Sequence, residues 1–346
     1  MNAITIGLDI AKSVFQVHAE NAAGKIVIQQ RLPRSRVAAF FAALPPSLVG
    51  IEACGSSHYW GRTLRALGHQ VRLIPAAYVK PFVKRNKTDA RDAQAICAAL
   101  GRPDMRFIAI KSVEQQASRG LERSRALLVK QHTQLMNCVR SQFAEFGHVA
   151  AQGRRGFAQL TALLDAEDAP IPAVLVLALR ALVQQIDALR IAIAALEQRI
   201  LAVAKADPVM RRLAGIPGVG AITAHAIVAA IGDGAQFRSA RDFAAWVGLT
   251  PKEHASAGKR RQQGISRQGD SRLRTLFALG ASTLMRFARS CPDHASEWQR
   301  GVLARRPMKV AVLAQAAKTA RVAWAILVSG ETWQPRPTAG QADMTA

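Results

Sequence analysis

The order of apolar runs at the N-terminus limits the fold more than any other feature of the chain. Residues 4–10 (ITIGLDI) read as a buried strand, 13–20 (SVFQVHAE) as a second, and 25–31 (KIVIQQR) as a third after an Asn-Ala-Ala-Gly turn. Along the second run, Val14, Gln16 and His18 fall on one face and Phe15, Val17 and Ala19 on the other. A helix over 35–43 follows, then strands at 48–53 and 70–74 alternating with helices at 58–67 and 89–100. A three-strand meander followed by strand–helix alternation predicts an α/β layer.

The middle of the chain changes period. Residues 112–147 and 173–204 carry apolar side chains at helical spacing. In the second stretch Leu175, Leu179, Leu182, Ile186, Leu189, Ile193, Leu196 and Ile200 alternate steps of four and three, a heptad rhythm. Two long helices separated by the Gly-containing 147–157 fit an antiparallel coiled coil or dimerisation arm, and equally a bundle within one domain. Beyond Pro208, residues 213–233 read as a Gly-rich turn and an apolar helix. Helices are expected at 239–247, 271–289 and 303–328, with a polar loop over 251–271. The tail from Pro335 is expected to be disordered. The expected domains are 1–108, 109–206 and 207–332, with a tail over 333–346.

Charge indicates the partner. Lys and Arg number 47 against 23 Asp and Glu, a formal excess of +24. Half the residues are hydrophobic, so this is a chain with a core and not a basic tail. Counterion release drives such a chain onto a polyanion. A membrane surface usually needs a concentrated basic cluster beside an amphipathic helix, and here the charge is spread throughout. Cys54, Cys97, Cys138 and Cys291 lie far apart and form no metal-binding or disulfide pattern, which fits a reducing cytoplasm. The N-terminus is a strand pattern and not a secretory leader.

Acids are scarce in the basic N-terminal region, yet they occur inside its strands. Only six fall in the first 110 residues, and four of those are Asp9, Glu52, Asp89 and Asp92. A lone buried carboxylate is costly unless paired or bound to metal. Asp89 and Asp92, three apart, share a helical face. Such a set can hold Mg²⁺, a hard cation that clamps phosphodiester oxygens. Structural readings stand beside this one. Asp9 can end a strand, Glu52 can pair with an arginine, and Asp89 can be the cap or first-turn acid of its helix. Asp92 suits a salt bridge or a first-turn role equally well.

A second cluster lies at 248–275 (GLTPKEHASAGKRRQQGISRQGDSRLRT), where Ser256, Ser266 and Ser271 stand among Lys259, Arg260, Arg261, Arg267, Arg272 and Arg274. Arginines can neutralise the charge that builds when a hydroxyl attacks a phosphodiester. The same loop can simply hold phosphate, with its serines filling turns. His254 is a candidate base or an exposed loop residue. GIPGVG (215–220) fits a phosphate-holding hairpin or core packing. Trp246 suits the core or base stacking, and His18 suits packing within its strand.

GLDIAK, IEACGSSHYW and NKTDARDA, in that order, resemble the DEDD transposase family of insertion sequences. GIPGVGAITAHAIVAAIGD and FAAWVGLTP are similar to that family's C-terminal transposase domain. The resemblance implies an RNase H-like (RuvC-like) N-terminal domain, a helical C-terminal transposase domain, and Mg²⁺ held by Asp9, Glu52, Asp89 and Asp92. It also implies a nucleophilic serine shortly after GLTP, which falls on Ser256 with Ser266 as competitor. It further implies a structured bridge RNA that pairs with donor and target DNA, and because strand exchange requires several active sites, a dimer or tetramer is expected. A metal-only nuclease or resolvase, with the serine loop merely holding DNA, is the rival expectation.

Overall fold

The computed structural model describes residues 4–83, 88–166, 169–256 and 259–334, and within 254–263 the backbone alone. The expected tail from Pro335 lies outside the described residues. The chain divides into two compact units, Met1–Glu114 and Gln115–Ala346. The helical middle segment falls in the same unit as the C-terminal region.

The first unit is built on β1 (Thr5–Ile10), β2 (Val14–Glu20), β3 (Ile26–Pro33), β4 (Leu48–Glu52) and β5 (Gln70–Ile74). Their order in the sheet is β3-β2-β1-β4-β5. β1, β2 and β3 form the antiparallel meander, and β4 and β5 add in parallel. A five-stranded mixed sheet of this order is consistent with the RNase H-like expectation. Alternation along the strands makes two faces. Ile6, Leu8, Phe15, Val17, Val49, Ile51, Val71 and Leu73 point to one core, covered by α1 (Val37–Ala42) and α2 (Ser57–Ala66) through Val37, Phe41, Trp60 and Leu64. The other face is covered by α3 (Ala76–Val79) and α4 (Asp89–Leu100), with Val79, Ala95, Ile96, Ala99 and Leu100 buried against Ile74.

Seating α4 on the sheet needs two glycines. Gly7 and Gly50 are register partners on adjacent strands. A Cβ on Gly7 would collide with the Ala93 carbonyl oxygen and the Cys97 backbone nitrogen, and one on Gly50 would meet Leu100 and Ile96. The helix backbone therefore lies directly on β1, an approach that a side chain would block.

The second unit begins in α5 (Val113–Glu145) and continues through α6 (Arg154–Ala162), α7 (Ala173–Ala206), α8 (Pro208–Ala214), α9 (Ala221–Ile231) and α10 (Ala240–Val247). A ribbon of β6 (Pro251–Ser256) and β7 (Lys259–Ile265) follows, then α11 (Ser271–Ser290), α12 (Glu297–Arg305) and α13 (Met308–Ser329). α5 and α7 pack antiparallel. Val139 and Phe143 meet Leu179 and Ile186 at one end, and Arg125 Nε donates to Glu197 Oε1 at 2.9 Å further along. A second core gathers Leu213, Ile227, Phe243, Leu273, Phe277, Ala320 and Ala323. α13 is long and apolar enough to cross a membrane by length and composition, but Ala316, Ala320, Ala323 and Ile326 are buried in this core.

Three sequence expectations need correction. Residues 251–256 and 259–265, expected within a loop, pair as an antiparallel ribbon. Among the described residues the ribbon joins no larger sheet, and its sequence carries no alternating apolar signal. The single helix expected over 303–328 is two helices, broken at Arg306 and Pro307. Proline disfavours the helical region for the residue before it, and Arg306 is extended (φ −137°, ψ 144°). Residues 154–162, within and just beyond the stretch read as a connection, form the short helix α6.

Candidate active site

β1 and β4 run in parallel, with Leu8 beside Ile51. One residue on, at the carboxyl ends of both strands, come Asp9 and Glu52. Each lies two residues beyond its glycine, so both side chains share the α4 face. Both are half-buried. The carboxyl ends of adjacent parallel strands are a common position for ligand sites in α/β layers.

α4 brings the other two acids toward the same end. Cys97 Sγ donates to the Thr5 carbonyl at 3.4 Å, whereas Gly7 lies under Ala93 and Cys97. Helix numbering thus falls as β1 numbering rises, and α4 runs counter to β1. Its first turn, with Asp89 and Asp92, points toward the end of the sheet that carries Asp9 and Glu52. Asp89 and Asp92 precede Ala93 and Ile96 by one turn, on the stripe that faces the sheet. Asp89 is exposed and Asp92 half-buried. Thr88 is the cap, its side chain accepting from the Arg91 backbone nitrogen, so Asp89 is a first-turn acid and not the cap.

Cys54, two residues past Glu52, registers the local charge. Burial pushes its thiol up, and the carboxylates of Glu52 and then Asp9 push it the same way. Carboxylate oxygens are the donors that a hard divalent cation such as Mg²⁺ takes, but among the described residues no three of these four acids bring ligand atoms within 4.8 Å of one another. A separate group of His18, Glu20 and Cys97 has ligand atoms within 4.8 Å of one another. His18 Nε2 and Glu20 Oε1 bond at 2.8 Å, and the thiol bonds to Thr5, so these three are mostly served internally.

In the second unit, Ser256 ends β6 and pairs in register with Lys259, at the far end of the ribbon from Pro251 and Ile265. The side chains of His254, Ser256, Lys259, Arg260 and Arg261 lie outside the described residues. The base of the ribbon is locked. Gly248 and Gly269 both have positive φ, and a Cβ on Gly269 would collide with the Trp246 carbonyl. Ser266 donates its backbone N–H to Thr250 O at 2.8 Å, and its Oγ is enclosed without a hydrogen-bond partner among the described residues. Ser271 is exposed at the start of α11.

The arginines divide into two groups. Arg267 is exposed, with a left-handed backbone (φ 56°). Arg274 Nη1 donates to the carbonyls of Val247 and Gln268, both at 2.8 Å. Arg272 Nη2 reaches Glu122 Oε2 at 3.4 Å. Glu122 is fully buried on α5 and also meets His225 Nδ1 at 2.9 Å, while Arg119 pairs with Asp270, the cap of α11. Losing one partner of such a buried set would leave an uncompensated charge. Sequence reasoning missed this network, because Glu122 and His225 are 103 residues apart. GIPGVG forms the turn between α8 and α9, with Ile216 and Val219 in the core. Trp246 stacks on Phe243, 6.2 Å between centroids, and stays 37 % exposed.

Comparison with known proteins points to one family. A DEDD-type IS110 transposase family model matches residues 6–147, and the model described as "Transposase IS116/IS110/IS902 family" matches 210–296. The "Probable family 20 transposase" of Pseudomonas aeruginosa is 46% identical over 339 residues, 97% of this chain and 100% of that protein. The "Transposase for insertion sequence element IS1111A" of Coxiella burnetii is 38% identical, covering 95% of this chain and 91% of its own length. The "Transposase for insertion sequence element IS1328" of Yersinia enterocolitica is 35% identical over 95% of this chain and 98% of its own.

Proposed function

The chain belongs to the IS116/IS110/IS902 transposase family, and on that footing we propose that it exchanges strands between donor and target DNA, with a carboxylate site and a serine sharing the chemistry. The observation that supports this is that Asp9 and Glu52 end adjacent parallel strands on the face covered by α4, whose first turn points to that end of the sheet. Asp9, Glu52, Asp89 and Asp92 are the residues that would hold Mg²⁺. Bound there, the ion neutralises charge on the scissile phosphate and polarises its oxygens.

The rest of the chemistry falls to the chain. The carboxylates fix where the phosphate sits. The Ser256 hydroxyl attacks phosphorus, the bond to the departing nucleotide oxygen breaks, and that oxygen leaves carrying a proton. One strand end remains joined to Ser256 as a phosphodiester. The hydroxyl of an incoming strand then attacks the same phosphorus, and Ser256 leaves with its proton restored. One phosphodiester is broken and one made, so no external energy source is needed. Lys259, Arg260 and Arg261 supply cationic charge next to the serine in the ribbon, and Arg267 adds charge at its base. Arg272 and Arg274, with partners inside the protein, hold the ribbon in place. The enclosed Ser266 hydroxyl favours Ser256 as the nucleophile.

The family resemblance adds a structured bridge RNA as guide, and the net charge of +24 suits two nucleic acids at once. Strand exchange needs several active sites, hence a dimer or tetramer. Val174, Leu177 and Ile191 on α7 remain exposed and offer an apolar face for assembly. Substituting Asp9→Asn or Glu52→Gln tests the reading in a plasmid recombination assay. Joining is expected to fall by about two orders of magnitude, the scale on which loss of a charge-stabilising group acts, with DNA binding kept. Joining at the parent rate in both variants would overturn it.

A further inference from the structure

At the end of the sheet that carries Asp9, but on the α2 side, lies an open groove of about 680 Å³. Its walls include Lys12, Ser13, Arg34, Ser35, Tyr59 and Trp60, and no carboxylate lines it. Lys12 and Ser13 sit in the turn after β1, Arg34 and Ser35 follow β3, and the two aromatics open α2.

The groove is preorganised. The Arg34 guanidinium carbon stands 5.5 Å from the Phe15 ring centroid and 5.4 Å from that of Trp60. Arg34 also donates its backbone N–H to Ser13 O at 2.9 Å. Among the described residues no carboxylate pairs with this guanidinium. An arginine braced by ring faces keeps its N–H fork for an anion. Trp60 is buried in the sheet core, whereas Tyr59 is 53 % exposed and braced edge-on by Trp60, 5.3 Å between centroids. Basic side chains beside an exposed, braced aromatic ring are the elements of single-strand binding, in which phosphate is neutralised and a base stacks.

We propose that this groove is a single-strand nucleic-acid subsite. Lys12 and Arg34, with the hydroxyls of Ser13 and Ser35, hold one backbone phosphate, and Tyr59 stacks the adjoining base. Lys12 is three residues past Asp9, a chain span of at most about 11 Å. The nucleotide held here is therefore a near neighbour of the phosphate at the carboxylates. The inference rests on the proposed function only for which phosphate lies next door. Binding itself needs no catalysis.

The test is fluorescence anisotropy with the full chain, without Mg²⁺, on single-stranded DNA and RNA oligonucleotides of one sequence, over a range of salt. Tyr59→Ala is expected to weaken binding roughly 5- to 150-fold, the span of one stacked base, while Tyr59→Phe binds like the parent. Lys12→Ala is expected to flatten the plot of log affinity against log salt by about 0.7, one phosphate contact on a single strand. A loss seen with DNA identifies the substrate strand as occupant, and one seen with RNA the guide. The subsite is refuted if Tyr59→Ala binds both strands like the parent and the Lys12→Ala slope is unchanged. It is refuted equally if Tyr59→Ala weakens duplex as much as single strands. Failure of Asp9→Asn to reduce joining would sink the proposed function and leave these binding results standing.

Discussion

Cys97 illustrates how burial controls a titratable group in the first unit. On the face of α4 that lies on β1, the residue is 3 % exposed, and its thiol is pushed up to about 12, chiefly by burial and secondarily by Glu20. A free thiol titrates near pH 8.5–9, so the folded chain holds its proton where the unfolded chain releases it. Stability from this group is fully present below about pH 9 and is lost as pH rises toward 12. Cys97→Ala is therefore expected to show a shallower fall of Tm between pH 8.5 and 11 than the parent. Identical slopes would contradict this. At this scale the sequence speaks clearly only where a residue is out of character. Asp9 and Glu52 stood out as acids within apolar strands, and the structure sets them side by side. Arg272 and Arg274 looked like any other cations of the basic segment. Their partners, Glu122 and two backbone carbonyls, are set by tertiary contacts that charge counting does not reveal.

Elements carry the residues to their places, and α4 depends most on one position. The Gly7 backbone touches the helix backbone, so Gly7→Ala must lift α4 and with it the turn bearing Asp89 and Asp92. Overpacking of this kind costs about 1–3 kcal/mol, and joining should fall along with Tm. Gly120→Ala, on α5 with open space around it, should keep or raise Tm, since alanine is the better helix former. Differential scanning fluorimetry beside the recombination assay reads both, and a Gly7→Ala protein with parent Tm and parent joining would contradict the seating of the helix. Periodicity revealed most elements: the meander, the parallel strands, and α4 from Asp89 to Leu100. It failed at the β6–β7 ribbon, whose strands pair only with each other among the described residues and whose Lys, Glu, Arg and Gln show no apolar alternation in the sequence. It also failed at Pro307, where an apolar rhythm that continues across the break concealed a local backbone rule.

At the scale of the whole molecule, the chain places unlike chemistry in different units. The carboxylates belong to an α/β layer and the serine ribbon to a helical unit. Each unit buries its own core, so neither site can be traced to the other by packing alone. Family models match the chain at 6–147 and at 210–296. The excess of +24 supplies affinity for nucleic acid but no chemistry. The proposed chemistry is tested most directly by attempting to trap the covalent intermediate that it requires. The full chain is incubated with Mg²⁺, guide RNA and donor DNA carrying a nick that prevents rejoining, then denatured, digested and read by mass spectrometry. An adduct on the peptide containing Ser256, absent in Ser256→Ala and retained in Ser266→Ala, is the expected result. Strand cleavage that proceeds in Ser256→Ala with no protein–DNA adduct in either protein would contradict it.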